Sequence, residues 1–245
     1  MLDLHKLKKK YNIRPKEIAY IGANLGQEID ELNQVFNYTK TYLFEPQKKV
    51  FENLVKNYKK FDNLEFYNIA LGNEEKIEFM NISSDVSGQS SSILIPEKHL
   101  DIHPYITFNS RERINVDKFS NLGLKNVNFL NIDVQGYELE VLKGFENILN
   151  DVEYIICEVN RKELYENNVL VKDLDSYLLN YGFYRVETMW HARTIPWGDS
   201  FYTKKNNITF LNLLKSRIFN FLQSLKGYFF ILGLMKRIGV IKNVK

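Results

Sequence analysis

The sequence predicts an α/β fold, a mostly parallel sheet with helices on both faces, followed by a C-terminal helical tail. Three observations lead there. Apolar runs alternate with stretches of helical spacing from residue 18 to about residue 190, a pattern that predicts a parallel sheet covered on both faces. Over 245 residues, 44% hydrophobic and 14% aromatic content supply one substantial core. A single cysteine, Cys157, rules out an internal disulfide framework and suits a reducing compartment. Its place inside the apolar run Tyr154–Cys157 predicts a buried, inert thiol.

The elements follow in order. The opening MLDLHKLKKKYNIRPK is basic but has no apolar secretory core. It reads as a short amphipathic helix leading into the domain. Ile18–Ile21 is a buried strand. Gln27–Phe36 has helical spacing, with Ile29, Leu32 and Phe36 on one face. Thr41–Phe44 is the second strand, and Lys48–Tyr58 a helix striped by Val50, Phe51, Leu54, Val55 and Tyr58. Leu64–Leu71 reads as a third strand. After the turn at residues 72–75, Lys76–Ile82 alternates like a hairpin partner. Residues 83–92 form a polar loop, and 96–112 look irregular. Val127–Asp133 is a strand, Glu138–Leu149 a helix, Val152–Val159 a strand and Val171–Asn180 a helix stopped by Gly182. Phe183–Met189 and Ser200–Thr203 are late strands. No internal repeat is present. The expected divisions are a lead-in at 1–17, the main domain at 18–205 and a basic tail at 206–245.

Charge is unevenly distributed. The net charge is +3, yet residues 201–245 carry nine Lys or Arg and no acid, leaving about −6 for residues 1–200. A mildly acidic globular part argues against a nucleic-acid-binding face.

In such sheets ligands bind just past the strand ends, near the topological switch point. Gly22-Ala23-Asn24-Leu25-Gly26 closes the first strand. Its glycines permit unusual backbone angles, either for a tight structural turn or for close approach of a ligand. The helix start behind it is expected to attract a carboxylate or phosphate. Glu45 closes the second strand, about twenty residues later, where an acid can accept hydrogen bonds from two ribose hydroxyls. Pro46 beside it can start the next helix. Asp133 ends a strongly apolar strand, and either caps the following helix or meets a ligand's ammonium or ribose. The G-x-G-x-x-G of dinucleotide sites is missing. A ribose with a compact, charged methionine-type end therefore fits better than a pyrophosphate.

These blocks resemble the FkbM family of S-adenosylmethionine-dependent methyltransferases from about Ile18 to Lys204. NIDVQGYELEVLKG (131–144) is the most specific stretch. IGANLGQE (21–28), LFEP (43–46), NIALGNEE (68–75) and SSSIL (91–95) are similar to further blocks, while Asn115-Val116 departs from the usual T-L-D segment. The resemblance implies a Rossmann-like class I fold and S-adenosylmethionine as cofactor. It also implies O-methylation of a sugar, glycan or glycolipid hydroxyl. Gly22, Ala23, Asn24, Gly26, Glu45, Pro46, Ala70, Ser91 and Asp133 are the expected cofactor-binding residues. Many class I enzymes carry an acid two residues before the first glycine, and here that position is Tyr20.

A sugar hydroxyl is a poor nucleophile, so a general base helps the transfer. Glu158, at the end of the fifth main strand, and His191, in MWHARTIPWGD, are the candidates. Trp190 and Trp197 could stack on a sugar ring. No residue cluster has metal-ligand spacing, so no metal is expected. Alternatives are N-methylation of a protein or small molecule, and a catalytically weak binding module docked through the tail. The expected location is cytoplasmic, with a peripheral place at the inner membrane face. The tail, 208–245, sets large apolar residues such as Leu211, Leu214, Ile218 and Leu222 at helical spacing among bases. Asn220, Gln223 and Lys226 interrupt it, so it is too polar to span a bilayer. It either lies in an anionic membrane surface or packs on protein.

Overall fold

A computed structural model describes residues 2–191 and 195–224 of the chain. The elements run α1 (Leu4–Tyr11), β1 (Glu17–Ile21), α2 (Ile29–Val35), β2 (Lys40–Phe44), α3 (Lys48–Tyr58), β3 (Leu64–Tyr67), β4 (Ala70–Leu71) and β5 (Lys76–Ile82). There follow α4 (His99–Ile102), β6 (Ser110–Asp117), β7 (Val127–Ile132), α5 (Glu138–Gly144), β8 (Tyr154–Asn160), α6 (Val171–Leu179), β9 (Phe183–Trp190), β10 (Trp197–Lys204) and α7 (Phe210–Ser224). Seven strands form one sheet in the order β3-β2-β1-β7-β8-β10-β9. Strands β1, β2, β3, β7 and β8 pair in parallel, and β10 runs antiparallel to both neighbours. Every residue of β7 is buried, as expected for a central strand covered on both faces. One core layer joins the sheet to α1, α2 and α3 through Leu7, Leu32 and Leu54. The other joins it to α5 and α6 through Val141, Leu142, Leu174 and Leu178. Cys157 is fully buried in that second layer, where burial pushes its thiol well up.

The lead-in helix α1 is part of the fold. Asp3 caps it by accepting from the Lys6 amide at 2.9 Å, and Leu4, Leu7 and Tyr11 are buried.

Several expectations change. The third strand, read as Leu64–Leu71, is two strands in different sheets. Asn68 breaks it: its side-chain amide donates to the carbonyls of Glu45 (2.9 Å) and Pro46 (3.0 Å), turning the chain away. Strand β5 does not pair with the run before it. It pairs antiparallel with β6, which pairs in parallel with β4, so β6 lies between them in a second, three-stranded sheet. The segment read as irregular therefore contains α4 and the start of β6. The helix expected to Leu149 stops at Gly144, and a 3₁₀ turn follows at Glu146–Asn150. A side chain on Gly144 would lie 1.9 Å from the Gly72 carbonyl oxygen, so α5 sits directly on the small sheet. Trp190 and Trp197, expected in a loop, end and begin the paired strands β9 and β10. Ala192, Arg193 and Thr194, between them, lie outside the described residues, as do residues 225–245 of the tail.

Candidate active site

The chain leaves β1 to build β2 and β3 on one side, then returns to place β7 on the other. This switch point leaves the C-terminal ends of β1 and β7 abreast, with the Asp133 amide donating to the Ile21 carbonyl at 3.0 Å. A cavity of about 410 Å³ opens there. Of the eleven residues expected at the site, nine line it: Gly22, Asn24, Glu45, Pro46, Ala70, Ser91, Asp133, Glu158 and His191. Ala23 and Gly26 do not line it. Ala23 is buried in the core, and Gly26 packs against Ile29, Leu54 and Tyr58.

In the glycine turn the structural role comes first. Gly22 has φ +77°, and a side chain there would lie 1.8 Å from the Asp133 carbonyl oxygen. The glycine is thus required by the neighbouring strand as well as by any ligand. The turn offers no set of free amides. Those of Gly22 and Ala23 bond the Phe44 carbonyl, Asn24 bonds Glu45 Oε2, Leu25 bonds Asn24 Oδ1, and Gly26 bonds the Ala23 carbonyl. Helix α2 begins only at Ile29, with Glu28 at its N-cap and Asp30 and Glu31 in its first turn. An anion site at this helix start is therefore not what the sequence has built.

The cavity is acidic instead. Glu28, Glu45, Asp85, Asp133 and Glu158 all line it, and among the described residues no Lys or Arg does. Glu45 is buried and accepts from the Asn24 amide (3.0 Å) on one oxygen and the Gln47 amide (2.8 Å) on the other. Burial outweighs these bonds and pushes its pKa from 4.5 to about 7. Asp133 is open to the cavity. Gln135 donates to Asp133 Oδ1 at 2.8 Å and to Glu158 Oε2 at 3.3 Å. Enclosure and the neighbouring carboxylates raise both acids, Glu158 well above the usual range. Below them Glu138 is fully buried, accepting from the Gly136 amide at 2.9 Å, and burial lifts it to about 7.

Tyr20, in the place of the expected acid, is buried beside Glu28. Asn131 donates to the Glu28 carboxylate. A carboxyl group thus reaches this part of the wall from the end of the turn.

Segment 83–92 closes another side. Asn24 Nδ2 donates to the Ser87 carbonyl at 2.9 Å, and Asp85 accepts from Ser83 Oγ (2.5 Å), the Ser90 amide (3.0 Å) and Ser90 Oγ (2.6 Å). The buried Ser91 Oγ accepts from the Ser83 amide at 3.0 Å.

A wall of rings completes the cavity, and half of it was not anticipated. His99 and His103, from the segment read as irregular, join His191 and Trp197. His103 stands 5.2 Å from His99 and 5.4 Å from Trp197, and Trp197 stands 6.4 Å from His191, measured between ring centroids. Three of the chain's four histidines therefore line one cavity. The unequal spacing of three histidines in sequence hid this cluster. His191 Nε2 lies 3.8 Å from Asp199 Oδ2. Burial, and then the neighbouring His103, lower the His99 pKa. Trp190 stands apart, with the Arg161 guanidinium 4.2 Å from its ring. Among the described residues, no group of three or more His, Cys, Asp or Glu side chains is placed to hold a metal ion.

Comparison with known proteins adds the following. The methyltransferase FkbM domain family matches residues 21–184. The 2-O-methyltransferase NoeI of Sinorhizobium fredii is 26% identical over 161 residues, which span 62% of this chain and 66% of that protein. A crystal structure of methyltransferase FkbM from Methylobacillus flagellatus aligns with a TM-score of 0.53 at 15% identity. That match covers 78% of this chain but only 43% of the other, and it speaks for a shared fold.

Proposed function

The chain belongs to the FkbM methyltransferase family, and from that premise we propose that it methylates a hydroxyl of a sugar, glycan or glycolipid, with S-adenosylmethionine as methyl donor. The observation that carries the reading is the make-up of the cavity, lined by five carboxyl groups, three histidines and a tryptophan, with no Lys or Arg from the described residues. Such a lining favours a ligand with positive charge and disfavours a pyrophosphate.

The residues present fit the cofactor. Each Glu45 oxygen holds one amide and keeps a lone pair for a ribose hydroxyl. Asp133 would hold the ammonium, with Pro46, Ala70 and Ser91 beside them on the wall. When bound, S-adenosylmethionine supplies a methyl group on a positively charged sulfur, already activated for displacement.

The acceptor enters against the ring wall, where Trp197 offers a flat apolar face to a sugar ring. His191 takes the hydroxyl proton, with Asp199 stabilising the imidazolium that results. Glu158 lines the same cavity as the second candidate base, with burial and the neighbouring Asp133 pushing its pKa well up. The NoeI relative, by name a 2-O-methyltransferase, supports oxygen as the methylated atom.

The test is transfer from labelled S-adenosylmethionine into cell-envelope carbohydrate, alongside calorimetry of cofactor binding. His191→Gln is expected to lower turnover by about 10²–10⁴ while binding the cofactor normally. Glu158→Gln tests the second candidate base in the same assay, with the same loss of turnover expected if Glu158 takes the proton. Absence of cofactor binding in the wild type would defeat the proposal. Label appearing on nitrogen would defeat its acceptor.

A further inference from the structure

Helix α7 meets the edge of the sheet through Ser216 and Asn220, with Leu213 half-buried on the same side. Asn220 Nδ2 donates to the Arg185 carbonyl of β9 at 3.0 Å, Ser216 is buried, and the Arg217 guanidinium lies 5.9 Å from the Tyr184 ring. The apolar side faces away. Leu211 is 58% exposed, Leu214 44% and Ile218 52%. Their spacing of three and four residues puts them in one row. A helix packed only for stability would bury that row and expose Ser216 and Asn220. Here Ser216 is buried while Leu211, Leu214 and Ile218 are exposed.

A second feature adjoins it. A groove of about 530 Å³ lies between the end of α1 and the segment leading into α7. Lys10, Arg14 and Lys16 line it, with Asn206, Thr209 and one acid, Glu153. Lys10 also pairs with Glu187. Arg14 and Lys16 are exposed. Lys215 and Arg217 extend the exposed bases onto α7 itself. From residue 201 to the end the sequence has nine bases and no acid, while residues 1–200 carry about −6. A partner protein with ordinary mixed charge would be met by acids somewhere in this stretch. An apolar ridge beside a predominantly basic groove matches an anionic lipid surface.

We propose that the outward face of α7 and the neighbouring basic groove dock the enzyme on an anionic membrane surface. Leu211, Leu214 and Ile218 enter the interfacial layer, while Arg14, Lys16 and Lys215 meet lipid phosphates. Among the described residues no helix is long and apolar enough to cross a membrane.

The full-length protein is sedimented with vesicles of phosphatidylcholine, with and without phosphatidylserine. Strong binding is expected only with phosphatidylserine, weakening as salt rises. Leu214→Glu with Ile218→Glu should cut it about tenfold or more. Arg14→Ala with Lys16→Ala should lower it by about fivefold per charge removed. All four positions are exposed, and circular dichroism checks that the variants fold. Equal binding to both vesicle types, no binding, or binding indifferent to both double variants overturns the proposal. A wild-type dimer made monomeric by the Leu214 and Ile218 changes, with no lipid binding, also overturns it and assigns the ridge to self-association. None of these outcomes depends on methyl transfer.

Discussion

At Glu45, position and chemistry pull apart. The strand end places the carboxyl group at the cavity wall, while its own two bonds hold the turn together. A change to alanine removes the proposed ligand contact and also strands the Asn24 and Gln47 amides. The cleaner probe is Glu45→Gln, which keeps one acceptor oxygen. It should weaken S-adenosylmethionine binding by about 1–3 kcal/mol in calorimetry. Gly22 is a different kind of residue. Its positive φ and the 1.8 Å approach to the Asp133 carbonyl make any side chain a strain on the sheet itself. Gly22→Ala should therefore lower the melting temperature sharply, or leave the protein insoluble. A soluble variant with wild-type melting would show that the strands can part at this point.

Among the elements, segment 83–92 shows what holds a wall in place without a core. Asp85 alone takes three of its hydrogen bonds. Asp85→Ala should raise amide exchange across 83–92 and raise KM for the cofactor, with little change in global melting. Unchanged exchange there would mean that Asn24 and Ser91 suffice. This wall was legible in the sequence only as a polar loop, since bonds from one acid to residues two and five away leave no periodic trace. Strand β6 was hidden for a related reason. Ser110, Arg111 and Arg113 are exposed at its start, and only Ile114 and Val116 are buried. The central strands were legible because burial on both faces demands unbroken apolar runs. Glu45 and Asp133 were legible because a parallel sheet fixes where its strands end. His99 and His103 were not, because a short helix in a long excursion carries no such rule.

On the scale of the whole molecule, the fold collects carboxyl groups at the one place where its sheet opens. Glu45 and Glu138 are both raised from 4.5 to about 7, each chiefly by burial. A carboxyl group whose pKa is higher folded than unfolded binds its proton more tightly in the native state. Its contribution to stability is complete below 4.5 and is lost as pH rises through about 7. The ligand-free protein should therefore melt at progressively lower temperature between about pH 5 and about pH 8. Most single domains with paired, low-pKa carboxylates lose stability in the opposite direction, on acidification. A positively charged ligand in the cavity favours the ionised acids, so saturating S-adenosylmethionine should flatten the decline and release protons on binding. Calorimetry in buffers of different ionisation enthalpy reads the proton release directly. Glu138→Gln, which leaves the cavity wall unchanged, should remove part of the decline without altering cofactor affinity. A melting temperature that rises with pH in this window, with or without the ligand, would mean that these acids are ionised in the folded protein and that the cavity holds their charge by other means.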